Sequence, residues 1–298
     1  SQNNYNNFKN GNSCGGSCQS RKEVVIAGSN GGILHAFDTS NGEELWGYIP
    51  PNIIGKLSTM VSSKANSTNA IYAIDGSPVV KDIYFDDTPN NSANDPRWRT
   101  VLLSGLGAGG HGYFALDITD INSPKHLFAI EHDPFHKVIK LWDNEETLTE
   151  HAYTSNSGIY IDGKRITMGI LPQEYDYQKL GETWSTPRII RIKVNNKDRW
   201  VAVFGGGYNG GVNPNYGSTV YVMDLENEGE LLKTIHIPDK YWTRHNYACL
   251  HAEKDSTEFD IGRSCSLHNL DTSYYSIRVQ GLGNVDYNLV GDRSGNYL

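Results

Sequence analysis

The chain has 298 residues, 38% apolar and 11% aromatic, with 31 Gly, 18 Tyr and 6 Trp; the large aromatic side chains supply buried area that a disordered chain lacks, so the sequence encodes a packed core. The formal charge of -8, from 26 basic and 34 acidic residues with no Lys/Arg-dense stretch, excludes the electrostatic footprint of a nucleic-acid binder. No apolar run reaches the roughly 18 to 20 residues of a helical membrane span.

Residues 1–21 form a polar, Gly- and Asn-rich segment without the charged-then-apolar order of a signal peptide. A mature extracellular chain and a cytosolic one both fit it. The segment holds Cys14 and Cys18, and Cys249 and Cys265 lie near the other end. An even count in two local groups fits disulfides in an oxidising compartment, the longer loop adding about 3 kcal/mol on a chain-entropy basis. Three pairings are open, with free thiols and zinc as alternatives; the zinc reading lacks a second nearby Cys pair.

From residue 22 onward strand patterns dominate, at 23–27, 33–37, 44–50, 77–80, 100–103, 188–192, 200–204 and 219–223, each short and punctuated by Gly, Asn or Asp. No window carries a capped helical stripe, the nearest being 141–151, so the class is all-β. Between the strands, Asp82, Asp86, Asp87, Asn90, Asn91, Asn94 and Asp95 make the densest oxygen-rich loop. Its spacing fits no EF-hand, and Pro89 and Pro96 mark a solvated hairpin tip, with a calcium ion as the alternative reading. His132 and His136 would share a helical face, but Asp133-Pro134 between them disfavours helix and so a metal pair.

One block recurs. Ser77-Pro78-Val-Val, a polar loop, Trp98, Val-Leu-Leu, Gly105-Leu-Gly-Ala-Gly-Gly110, Tyr113 and Ala-Leu-Asp117 are followed later by Thr186-Pro187-Arg-Ile-Ile, a polar loop, Trp200, Val-Ala-Val, Gly205-Gly-Gly-Tyr-Asn-Gly-Gly211, Tyr216 and Val-Met-Asp224. Half copies stand at each end, one closing at Asp38 and one running through Gly291-Asp292. Each unit reads as an up-and-down four-stranded blade, and a blade that cannot bury both faces alone must stack on neighbours. The aspartates Asp38, Asp117, Asp224 and Asp292 are structural, accepting amides of the following turn. The expected architecture is a β-propeller over 22–298, incomplete in this chain, with insertions at about 132–182 and 239–274. The first insertion carries its own hairpin turning at Asp162-Gly163. Loops of that size on a rigid scaffold are where recognition concentrates.

Gly28-Ser-Asn-Gly-Gly-Ile-Leu-His-Ala-Phe-Asp38 with Gly42-Glu-Glu-Leu-Trp46 resembles the quinoprotein-type propeller repeat. Asp75-Gly-Ser-Pro-Val-Val80, Trp98-Arg-Thr-Val-Leu-Leu-Ser-Gly-Leu-Gly-Ala-Gly-Gly110, Leu180-Gly-Glu-Thr-Trp-Ser-Thr-Pro187 and Val203-Phe-Gly-Gly-Gly-Tyr208 resemble the C-terminal propeller of the PilY/PilC family of type IV pilus tip-associated adhesins. The resemblance implies a non-enzymatic extracellular protein at a pilus tip or outer membrane surface. It would promote pilus assembly, attachment to a host or abiotic surface and twitching motility, with minor pilins as partners. It also implies a calcium loop before the Gly-Asp-x-x-Gly-Asn motif. Here the expected acidic positions hold Arg278, Gln280 and Leu282, and only Asp286 is acidic, so that site is disrupted.

Catalysis finds no support in the residues. There is no Gly-x-Ser-x-Gly elbow and no phosphate loop, and the adjacent Glu145 and Glu146 face different ways. A quinone-dependent dehydrogenase would need adjacent cysteines and more blades; a surface or periplasmic scaffold propeller would leave the two Gly clusters unexplained.

Overall fold

The computed structural model describes residues 2–10, 22–61, 71–85, 98–153, 159–161, 164–166, 171–208, 216, 217, 219–236, 275–277 and 287–289. Its sheets are all antiparallel and join consecutive strands. Blade 1 contains β1 (Val24–Gly28), β2 (Leu34–Asp38) and β3 (Glu44–Tyr48). Blade 2 contains β4 (Val79–Tyr84), β5 (Trp98–Gly105), β6 (Gly112–Asp117) and β7 (Lys125–Asp133), extended outward by β8 (Val138–Trp142) and β9 (Leu148–Ala152). A separate hairpin pairs β10 (Ile159–Ile161) with β11 (Lys164–Ile166), Ile161 lying opposite Lys164; the expected turn residues Asp162 and Gly163 lie outside the described residues. Blade 3 contains β12 (Arg188–Val194), β13 (Lys197–Gly205), β14 (Thr219–Asp224) and β15 (Leu231–His236), and β16 (Tyr275–Ile277) pairs with β17 (Tyr287–Leu289).

Blade 2 explains why the strands stack. Val101, Leu103, Tyr113, Ala115, Phe128 and Ile130 form a core with Ile189, Ala202, Phe204, Tyr221 and Met223 of blade 3. The alternate residues Leu102, Phe114, Leu116 and Ala129 form a second core with Leu34 of blade 1, against which Ile26, Trp46 and Tyr48 also pack. Successive side chains of a strand point to opposite faces, so a sheet buried on both faces reads as the continuous apolar runs seen here.

Register fixes the equivalence of the blades. Val24 lies opposite Asp38, Val101 opposite Asp117 and Val201 opposite Asp224. A bulge falls at one position in all three, between Ala36/Phe37, Ala115/Leu116 and Val222/Met223. Beyond each Asp the chain turns in the same way: its Oδ1 accepts the amide two residues on, from Ser40 at 2.9 Å, Thr119 at 2.9 Å and Glu226 at 2.9 Å. The second carboxylate oxygen faces a cation, Lys22 at 3.0 Å, Arg99 at 3.8 Å and Arg199 at 4.0 Å.

Some expectations are corrected by this register. Trp98 and Trp200 do not share a position: with Val101 equivalent to Val201, Trp98 corresponds to Asp198 and Trp200 to Thr100. Trp98 packs on Tyr5 and Tyr84 at 4.6 and 5.4 Å, whereas Trp200 packs against the core between blades 2 and 3. The stretch 141–151 is strand, turn and strand, with Asp143 capping the turn by accepting from the Glu145 and Thr147 amides. The proposed insertion start at residue 132 lies inside β7, where His132 pairs with Ile139 of β8. Helix also appears, in α1 (Gln2–Lys9), α2 (Pro51–Ile54) and α3 (Leu57–Met60). Tertiary contact supports α1: Phe8 is buried, and the Tyr5 hydroxyl donates to Asp82 at 3.0 Å. Pro51 opens α2, where its fixed φ suits a first helical position.

Adjacent blades are locked by backbone contact. A Cβ on Gly28 would lie 2.5 Å from the Ile74 carbonyl oxygen, in the segment leading into blade 2; one on Gly105 would lie 2.7 Å from that of Thr183, leading into blade 3. Thr183 ties the second junction, its Oγ1 accepting the Leu106 amide at 2.8 Å. Gly105→Ala is expected to cost at least about 1–3 kcal/mol through forced backbone shifts, measured by urea denaturation. For Asp224, burial raises the carboxyl pKa to about 6 against the pull of Arg199. A raised carboxyl favours the protonated folded state, so its contribution is present at low pH and lost as pH rises through about 6. Arg199→Met removes the opposing charge and is expected to lower the melting temperature more at pH 8 than at pH 5.

Candidate functional site

At the end of blade 2 that carries the Gly-rich turn, several polar side chains converge. His132, at the end of β7, is buried and holds both ring nitrogens in hydrogen bonds. Its Nδ1 lies 2.6 Å from the Leu180 carbonyl oxygen, which can only accept, so Nδ1 carries the proton. Nε2 of the neutral ring then accepts from the Tyr153 hydroxyl at 2.8 Å. His111 and Tyr216 pack on the same imidazole with ring centroids 5.9 and 5.2 Å away. The Lys56 ammonium donates to the Gly109 carbonyl, and Glu131 and Glu182 supply its opposing charge.

Burial governs the electrostatics. It pushes His111 down to about 4, with the neighbouring His132 and Lys56 charges acting in the same direction. His132 is also lowered, by burial, against the Leu180 hydrogen bond and the carboxylates of Asp133 and Asp176. Beside them, Lys140 sits 3.0 Å from Asp133 and 3.9 Å from Glu131, and His136 Nδ1 sits 2.8 Å from Asp133. With both His132 nitrogens engaged by a carbonyl and a phenol, the cluster is built as a seam joining β7, the end of β9 and the lead-in to blade 3.

The opposite end of blade 2 bears a cleft of about 440 Å³, lined by Arg99, Asp117, Lys125, His126 and the turn Asn144–Glu146. Its charges are mixed. His126 Nδ1 meets the Tyr48 hydroxyl of blade 1 at 2.7 Å, so this histidine too ties one blade to the next.

The predicted site residues are dispersed. Asp82 is occupied by protein donors, Thr100 Oγ1 at 2.7 Å and the Tyr5 hydroxyl at 3.0 Å. Asp86, Asp87 and Asp95 fall outside the described residues, as do Cys14, Cys18, Cys249, Cys265, Asp292, Asp286 and the loop positions Arg278, Gln280 and Leu282. That loop's donor set does not fit calcium: a guanidinium repels the ion, an isobutyl group offers it no oxygen, and one carboxylate is too few for a hard cation. His132 and His136 point to different partners, a carbonyl and Asp133. No group of three or more metal-ligating side chains occurs among the described residues. Sequence reasoning missed the cations facing the repeat aspartates, although Lys22, Arg99 and Arg199 each precede the equivalent Val by two residues.

Stacked antiparallel blades with repeated register and bulge define a β-propeller protein, with no closed ring formed by the described residues. Residues 3–134 match the family described as the PilY1 beta-propeller domain. The chain is 28% identical over 217 residues to the type IV pilus biogenesis factor PilY1 of Pseudomonas aeruginosa strain UCBPP-PA14, covering 73% of this chain and 14% of that relative. It is 26% identical over 217 residues to a PilY1 homolog of Xylella fastidiosa strain Temecula1, covering 73% and 11%. The crystal structure of the Pseudomonas aeruginosa PilY1 C-terminal domain matches 74% of this chain and 31% of that one, at 25% identity and a TM-score of 0.45. Over the matched residues the chain is similar to the PilY1 propeller family.

Both seam histidines favour the neutral form in the folded state. Their contribution is therefore full above the unfolded value of 6.5 and lost as pH falls through the range down to about 4 for His111. His132→Gln is expected to lower stability at pH 7.5 by about 1–3 kcal/mol, through unsatisfied buried groups. It should also flatten the decline between pH 6.5 and 4, as read from urea midpoints across that range.

Proposed function

We propose that this chain is the propeller portion of a type IV pilus biogenesis factor, acting without catalysis at the pilus tip or outer membrane surface. There it would support pilus assembly, surface attachment and twitching motility. The observation that carries this reading is similarity over 217 residues to proteins named type IV pilus biogenesis factors, in two bacterial genera. The chain spans 14% and 11% of those relatives' lengths, so the partners named here, minor pilins and the tip assembly, are inferred for the protein that contains it.

The physical arrangement agrees with a scaffold. Imidazole and ammonium groups that could serve catalysis are spent on carbonyls at the blade junctions and on a carboxylate within blade 2. No helix among the described residues is long and apolar enough to cross a membrane. Deleting the gene is expected to abolish surface pili and twitching, with recovery on complementation; unchanged piliation and motility would overturn the reading. Minor pilins are expected to co-purify with the tagged protein.

A further inference from the structure

Between blades 1 and 2 the chain turns in the right-handed sense from Pro51 to Met60, because Gly55 and Lys56, which join α2 to α3, also have helical backbone angles. One face of this segment lies over blade 1: Ile53, Leu57 and Met60 come within 3.1, 3.2 and 3.5 Å of where a Cβ on Gly32 would stand. Asn52 and Lys56, four residues apart, meet blade 2 instead. Lys56 Nζ lies 2.8 Å from the Cβ position of Gly110, and Asn52 Nδ2 lies 2.9 Å from that of Gly112, two residues on. Residues four apart on a helix are neighbours, their Cβ atoms about 5–6 Å from each other. The four-carbon stem of Lys56 therefore lets its amine reach the Asn52 carboxamide.

Glu131 completes the cluster. It lies opposite Gly112 in the β6–β7 register, and opposite residues of a ladder share a face, so its side chain stands on the side of the sheet that Asn52 enters. Burial pushes the Lys56 amine down, against the charges of Glu131 and Glu182, and pushes the Glu131 carboxyl up, against those of Lys140 and Lys56. Both shifts favour a neutral amine beside a neutral acid. Asn52 is only 4% exposed. Its Nδ2 makes two long contacts, 3.4 Å to each of the Tyr113 and Ile130 carbonyls, and its Oδ1 meets no donor among the described residues. A buried amide oxygen left without a donor is costly and calls for an explanation.

We propose that Asn52 and Lys56 are the reactants of a spontaneous intramolecular amide crosslink, with Glu131 as the proton carrier. Nζ of Lys56, nucleophilic once burial has neutralised it, attacks Cγ of Asn52 while Glu131 gives its proton to Oδ1. The resulting carboxylate takes a proton from Nζ and passes it to Nδ2. The carbonyl re-forms and returns the Oδ1 proton to Glu131, the Cγ–Nδ2 bond breaks, and ammonia leaves. One C–N bond forms and one breaks, nothing is oxidised or reduced, and no co-reactant is needed. The crosslink would hold α2 and α3, each too short to persist alone, against the junction of blades 1 and 2.

Intact mass spectrometry of the purified, denatured chain tests this. The expected mass is lower than that of the sequence by one ammonia. The loss should map to the tryptic peptide 23–64, left uncut after Lys56 because an acylated lysine is not a trypsin site. Lys56→Arg and Asn52→Ala are each expected to restore the full sequence mass, and Glu131→Gln, which keeps the shape but removes the acid, to leave most molecules uncrosslinked. A wild-type chain at its full sequence mass, with trypsin cutting after Lys56, would overturn the inference whatever the variants do. So would an ammonia loss that persists in Lys56→Arg, the mark of a succinimide at Asn52 alone. An undiminished loss in Glu131→Gln would overturn the part given to Glu131. None of these readouts depends on pilus function.

Discussion

The structure depends on a single requirement: a four-stranded sheet of this composition is apolar on both faces and is stable only between two others. Blade 2 shows the requirement met. Leu103 and Leu102, neighbours in sequence, enter different cores on opposite sides of one sheet. Fully burying such side chains contributes roughly 1.5–3 kcal/mol each, so Val101, Leu102 and Leu103 of β5 each carry stability toward one neighbour or the other. Geometry at the junctions follows from this stacking. Sheets brought face to face leave no room for a side chain where the next blade's lead-in crosses the strand end, and Gly28 and Gly105 occupy those points.

Much of this was legible in the sequence because stacking imposes a repeated pattern. Strands with apolar residues on both faces, a Gly at the strand end and an Asp after the third strand recur for physical reasons. Register was not legible. Trp98 and Trp200 match by residue type and order, yet hydrogen bonding sets them two positions apart, since aligning like residues does not count bulges and loop lengths. The β8–β9 hairpin was hidden because Trp142-Asp-Asn-Glu-Glu has the composition of a helix start, while its Asp143 serves as a turn cap instead. The cation facing each aspartate was present in the sequence but read as ordinary surface charge. The His132 seam could not be read at all, because Tyr153 and Leu180 meet it only through folding.

One position in the repeat shows how environment overrides identity. Asp38, Asp117 and Asp224 accept the same turn amide and face the same kind of cation. The carboxyl of Asp38 is nonetheless held down to about 2 by Ser40 and Lys22, while burial lifts that of Asp224 to about 6. Asp38 sits on an open blade, where its hydrogen bonds outweigh a small desolvation cost; Asp224 is enclosed by blade 3's own turn, and desolvation wins. Residues that are equivalent in the repeat are therefore not equivalent in pH response.

The aromatic content has its origin in the same stacking. Sheet faces meet along apolar side chains, but at the rims of each core backbone carbonyls and ring nitrogens would otherwise be left without partners. Amphipathic rings bridge them from the neighbouring blade or from the segment leading into a blade: Trp46 Nε1 donates to the Ile121 carbonyl at 2.7 Å, the Tyr113 hydroxyl to the Ser185 carbonyl at 2.9 Å, and the Tyr177 hydroxyl to the Gly229 carbonyl at 2.6 Å. Each places an apolar body in the core and a polar tip at its edge, which no aliphatic residue can do. The tyrosines and histidines that in isolation resemble a binding pocket are thus required by the junctions.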